Sequence, residues 1–173
     1  TDGSERLALL DALLPVYAEL LAKLHDAGAD WVQIDEPCLT TDLDAAAHEA
    51  FRHAYAALTE TTRPKLLLGT GFGALGDNLA LATALPVDGL HVDLVRAPEQ
   101  LAAVCAALPA GRVLSLGLVD GRNVWRCNLD NALVLARYAA AQRDPALLRL
   151  APSCSLLHVP VDLDQEKSLD ADL

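Results

Sequence analysis

The chain has 173 residues, of which 53% are hydrophobic and only 4% aromatic, with a formal net charge of −11. That is the size of one domain with a core of Leu, Val and Ala, and the acidic balance argues against nucleic acid and anionic membrane as partners. No apolar run approaches the roughly 18 residues needed to span a bilayer, and the N-terminal "TDGSERLALL" lacks the basic start of a signal peptide.

Four cysteines, Cys38, Cys105, Cys127 and Cys154, are scattered without a C-x-x-C pair. Free thiols in a reducing, cytoplasmic compartment are expected. There is no Met, even at position 1, so the chain reads as a piece of a longer protein.

In chain order, "ERLALLDALLPVYAELLAKLHDAG" carries leucines at helical spacing. Pro15 inside it predicts a kink or break, and Gly28 a stop. "WVQID" is a short β-rich run ended by Glu36 and Pro37. A helix is predicted over roughly 44–62, with Asp42 or Asp44 as N-cap, and a strand over 65–69. A helix near 77–84, the strand "GLHVDLV" and the helix "PEQLAAVCAAL" opened by Pro98 follow. Then come the strand "RVLSLGLV", a helix capped by Asn128, a last strand near "LRLAPS" and a polar tail.

Five strands alternating with helices predict an α/β fold with a parallel sheet. Two architectures compete: an open doubly wound sheet and a partial (β/α)8 TIM-type barrel with about five of its eight units. No linker marks an internal boundary, so residues 1–173 read as one domain fragment.

Gly71, Gly73 and Gly76 spell G-x-G-x-x-G after an apolar run, and Asp93 ends the next strand 17 residues after Gly76. In an open sheet these would cradle a dinucleotide, with Asp93 on a ribose. Of Asp35 and Glu36, only one can face a central site, because strand neighbours point oppositely. His91 and Asp93 share a strand face, but there is no dense metal-ligand cluster, and a buried, hydrogen-bonded histidine is the simpler reading. Arg122 and Arg126 flank Trp125 in a loop. They would bind an anionic substrate or, more simply, pair with surface carboxylates. Cys105 is expected to pack in a helix face, and Cys38 and Cys127 are loop thiols with no evident base beside them.

Four stretches, "GADWVQIDEPCLTTDL", "GLHVDLVRAPEQL", "LSLGLVDGRNVWR" and "LAPSCSLLHVPVDLDQEKSLD", resemble the cobalamin-independent methionine synthases, in particular their N-terminal module. The resemblance runs over essentially the whole chain. It implies two (β/α)8 barrels in the parent, with a C-terminal catalytic barrel that binds zinc and homocysteine. There the metal lowers the thiol pKa, and the thiolate takes the methyl group of 5-methyltetrahydrofolate polyglutamate. Against that catalytic copy, the resemblance sets Gly71 and Gly73 where two zinc ligands would stand, Asp93 at the third and Cys154 at the fourth. Arg122 replaces a catalytic histidine and Asp35 keeps an amine-binding carboxylate. One carboxylate and one thiol do not make a four-coordinate zinc site, so no metal or other cofactor is expected in this segment. It is expected to be strands four to eight of the N-terminal barrel, inactive alone. Its expected partners are the rest of that barrel and the catalytic barrel.

Overall fold

A computed structural model describes residues 6–168 and 170. Glu5, where the sequence pattern starts the first helix, and residues 169 and 171–173 of the tail lie outside the described residues.

Five strands, β1 (Trp31–Asp35), β2 (Lys65–Gly69), β3 (Gly89–Asp93), β4 (Val113–Val119) and β5 (Leu148–Pro152), form one sheet in the order β1-β2-β3-β4-β5. Every pair is parallel. Five helices separate or precede them: α1 (Leu10–Asp26), α2 (Ala45–Thr59), α3 (Leu79–Ala84), α4 (Leu101–Ala107) and α5 (Leu129–Gln142). A doubly wound sheet reverses strand order at a switch point. Here each strand lies beside its sequence neighbour, so right-handed crossovers put all the helices on one face. The other face becomes an interior, as in a (β/α)8 barrel, and β1 and β5 are the open edges of this partial barrel.

Side-chain alternation divides the strands accordingly. Leu66, Leu68, Leu90, Val92, Leu114 and Leu116 are fully buried in one cluster with helix residues Tyr55, Leu58, Leu101, Val104 and Ala139. The alternate positions, among them Gln33, Asp35, His91, Asp93, Ser115 and Arg149, make a polar interior face. The register aligns Asp35 with Gly69, Gly69 with His91 and His91 with Ser115.

Local chemistry explains the element ends. Asp44 caps α2 by accepting from the Ala47 amide at 2.8 Å, and Asn128 caps α5 by accepting from Asn131 at 3.1 Å. Gly28 follows α1 with φ +89°. Each of two helix C-termini is closed by an arginine from the next unit. Arg112 donates to the Thr83 and Leu85 carbonyls after α3, and Arg143 to those of Cys105 and Leu108 after α4.

Two predicted boundaries shift. Helix α1 runs unbroken through Pro15. The proline removes one donor near the exposed start of the helix, where water can serve the Asp11 carbonyl. Helix α2 stops at Thr59 rather than 62, because the Thr59 and Thr61 hydroxyls turn back onto the Tyr55 and Leu58 carbonyls.

Candidate functional site

In a barrel the residues that can act on a ligand stand at the C-terminal ends of the strands. Here that end is organised around Asp93, the last residue of β3, which is 0% exposed. Its Oδ1 accepts from the amides of Val95 and Arg96, both at 3.0 Å. Its Oδ2 accepts from the Phe72 amide at 3.1 Å and from Arg96 Nη1 at 3.2 Å. Four donors fill the carboxylate, as a fully buried charge requires.

Arg96 extends the cluster. Its other nitrogen lies 3.6 Å from Asp120 in the loop after β4. These acidic partners hold the guanidinium above its ordinary pKa even though burial works the other way. Asp93, Arg96 and Asp120 therefore tie together the loops after β2, β3 and β4.

The glycine-rich loop is fastened from several sides. Thr40 donates to the Gly71 carbonyl, Gln100 Nε2 to those of Asp93 and Gly73, and Gln100 Oε1 accepts from Leu75. The G-x-G-x-x-G run leads into a three-residue 3-10 turn and then the six-residue α3. Asp93 has no lone pair left for a ribose. With no switch point in the sheet, the dinucleotide cradle is overturned by the geometry.

Of the positions singled out by resemblance, Gly71 looks across at the Ser153 carbonyl, next to Cys154, while Gly73 faces Thr40. Neither glycine offers a ligand atom and Asp93 is saturated. Among the described residues no three His, Cys, Asp or Glu side chains are grouped to hold a metal. The donor set present does not fit a zinc ion.

The two adjacent carboxylates separate as alternation requires. Asp35 faces the interior, accepting from Gln33 Nε2 at 2.6 Å, and the missing Cβ of Gly69 leaves room for it. Glu36 turns outward, where the Tyr55 hydroxyl donates to it at 3.0 Å. Burial pushes the Glu36 carboxyl up, against the lowering effect of its hydrogen bonds. Cys38, read as having no base beside it, sits 3.9 Å from Glu36. Burial and that carboxylate raise its thiol pKa, so the neighbour does not activate it.

His91 is the buried, hydrogen-bonded histidine expected. Nε2 faces the Ser153 carbonyl at 3.3 Å and must carry the proton, leaving Nδ1 to accept from the Ser115 hydroxyl at 2.9 Å. Burial depresses its pKa.

The expectation that Arg122 pairs with surface carboxylates is corrected. Its guanidinium lies 5.3 Å from the Phe72 ring centre and makes no ion pair among the described residues. Arg96, Gln100 and Phe72 were missed in the sequence. The available signals were an arginine three residues after a strand-end aspartate, and a bulky residue between two glycines.

Residues 1–143 match the family described as cobalamin-independent synthase, N-terminal domain. Over 172 residues the chain is 66% identical to a 5-methyltetrahydropteroyltriglutamate–homocysteine methyltransferase of Xylella fastidiosa (strain M23), covering 99% of this chain and 23% of that protein. A protein of the same description from Chelativorans sp. (strain BNC1) is 58% identical, with 99% and 22% covered. The chain thus spans less than a quarter of the length of these relatives.

Among solved structures, the chain is similar to a B12-independent methionine synthase from Shewanella sp. W3-18-1 in complex with selenomethionine. The TM-score is 0.74 at 15% identity, with 92% of this chain and 51% of that one covered. It is also similar to a putative vitamin-B12 independent methionine synthase from Listeria monocytogenes (TM-score 0.63, 19% identity, 86% and 49% covered). At these identities the likeness shows the fold.

Proposed function

The chain belongs to the cobalamin-independent synthase family, matching its N-terminal domain, and from that premise we propose that it is a supporting part of a methyltransferase. The parent transfers a methyl group from 5-methyltetrahydrofolate polyglutamate to homocysteine, in the cytoplasm. The observation that carries this is the 66% identity to a methyltransferase of that description across 99% of the chain.

This segment corresponds to strands four to eight of the N-terminal barrel. The exposed apolar faces support that assignment. Leu13, Val16, Tyr17 and Leu20 on α1, and Leu150 on the outward face of β5 at 70%, lie where helices of neighbouring units would pack. The rest of the barrel and the C-terminal catalytic barrel are its partners.

Zinc, which activates the homocysteine thiol, belongs to the catalytic barrel. Gly71, Gly73, Asp93 and Cys154 are remnants of an equivalent site in which Asp93 has become a loop anchor. Asp35 and Arg122 are likewise vestigial with respect to methyl transfer. No step of methyl transfer is assigned to residues of this segment.

The test is a chimera in which this chain replaces the matching segment of the Xylella methyltransferase. Methyl transfer within about tenfold of the parent, with none by the chain alone, is the expected result. A folded, inactive chimera, or turnover by the isolated chain with added zinc, would overturn the reading.

A further inference from the structure

We propose that Phe72 and Arg122 form a carboxylate-binding clip at the C-terminal mouth of the sheet, a role beyond the supporting one. The starting point is backbone conformation. Phe72 has φ +75° and is the one non-glycine residue with positive φ among those described, while its neighbours Gly71 and Gly73 do not take that conformation. The position that favours glycine holds instead the bulkiest side chain of the loop. An outlier of this kind needs surroundings that enforce it and a reason to keep the side chain.

The enforcement is visible. The Phe72 amide is held by Asp93 at 3.1 Å, and the flanking Gly71 and Gly73 carbonyls are held by Thr40 and Gln100. The ring so placed is 47% exposed, so core packing is not what retains it. Above it lies Arg122, whose guanidinium makes no hydrogen bond or ion pair among the described residues. Its backbone is fixed by the amide, which donates to Asp120 at 2.9 Å. Asp93, which holds the Phe72 amide, and Asp120, which holds the Arg122 amide, are already committed to Arg96 and to loop donors.

A guanidinium held over an aromatic ring by a cation–π contact keeps its donor fork free and is already partly restrained when that fork is used. A carboxylate is the planar two-oxygen partner that matches it. At the fork itself a carboxylate group brings one negative charge, whereas a phosphate group brings up to two and meets more repulsion from the acidic side chains of a chain of net charge −11.

The experiment follows the Arg122 Nε–Hε and Phe72 ring signals by NMR in the labelled 173-residue chain. Glutarate, a triglutamate peptide and inorganic phosphate are added separately at constant ionic strength. Saturable shifts with the carboxylates are expected, weakened at least about tenfold in Arg122→Gln and in Phe72→Gly, whose backbone suits the loop. Arg126→Gln, at an arginine of the same loop outside the ring contacts of the described residues, should bind within about twofold of the parent chain. Tighter binding of triglutamate than of glutarate would identify an oligocarboxylate as the source, and equal binding a single carboxylate. No saturable shift, equal loss in Arg122→Gln and Arg126→Gln, or phosphate binding as tightly as glutarate would each overturn the clip. Because methyl transfer is not measured, this outcome is separable from that of the chimera.

Discussion

The guanidinium of Arg149 on β5 lies 4.0 Å from the centre of the Trp31 ring on β1, although these strands are the two opposite edges of the sheet. Lys65 approaches the same ring to 5.6 Å. Such a contact is possible only if five strands curl far enough for their inward side chains to meet. In an eight-stranded barrel, strands four and eight face each other across the axis, which is the relation assigned to β1 and β5 above. The pair acts as a strut that holds the curvature where barrel closure is lacking.

Arg149→Ala is therefore expected to cost about 1 kcal/mol, within the range of a partly desolvated cation–π contact. Arg149→Lys should retain part of that. Urea unfolding measures both, and Trp31 emission in a Trp125→Phe background reports the contact itself. Unchanged stability and emission in Arg149→Ala would remove the strut.

Glycine at 69 and 117 is required by close approach. A Cβ at Gly69 would overlap the Asp35 carboxylate, and one at Gly117 would overlap the Val92 carbonyl, the Ser153 backbone and the His91 ring. Because strand backbone must give way at Gly117 but only a side chain at Gly69, Gly117→Ala should be the costlier change. A loss of about 1–3 kcal/mol is expected, against under about 1.5 kcal/mol at Gly69. Equal stability of the two variants in denaturant titration would contradict this reading of the interior.

Much of the fold was legible because it rests on local chemistry. The limits of β1 and β2, the Asp44 and Asn128 caps and the opposite aims of Asp35 and Glu36 all follow from residue type and period-2 alternation. The site was less legible. The resemblance singled out Asp93, but its saturation by amides of two loops depends on how those loops fold back. Phe72 sits between two glycines that would be the obvious owners of a positive φ, so the strain was hidden. Trp31 and Arg149 are 118 residues apart in the sequence, and only sheet curvature brings them together.

His91 should make the fold acid-sensitive. Its pKa is depressed by burial, so the neutral ring is the form the fold stabilises. That contribution is fully present above the ordinary value of 6.5 and is lost as pH falls through the lower value in the folded chain. His91→Gln, which can still donate to Ser153 and accept from Ser115, should lack the dependence. The stability difference between parent and variant is expected to shrink as pH drops below about 6.5, as read by urea titrations at several pH values. A difference that stays constant down to pH about 4.5 would show that His91 titrates normally.

Glu36 should act in the opposite sense. Burial raises its pKa from the ordinary 4.5, so the protonated carboxyl is the favoured folded form. Its contribution is full below about 4.5 and is lost as pH rises through the folded value. The stability of the parent relative to Glu36→Gln should fall with rising pH by at most about 1.4 kcal/mol per unit, then level off. The side-chain amide of that variant still accepts the Tyr55 hydrogen bond, so the comparison isolates the charge. A flat difference across that range would place Glu36 in water instead of against Tyr55.

Phe72→Gly supplies the stability counterpart of the proposed clip. If the ring is kept for a ligand and the backbone bears the strain, removing the side chain should stabilise the chain by about 1 kcal/mol, the scale of a left-handed non-glycine residue. Phe72→Ala keeps the Cβ and so the strain, and loses the ring, so it should gain nothing. A thermal melt of the three proteins tests this. Destabilisation of Phe72→Gly would mean that the ring is held by packing, in which case its exposure and the free guanidinium above it would need another cause.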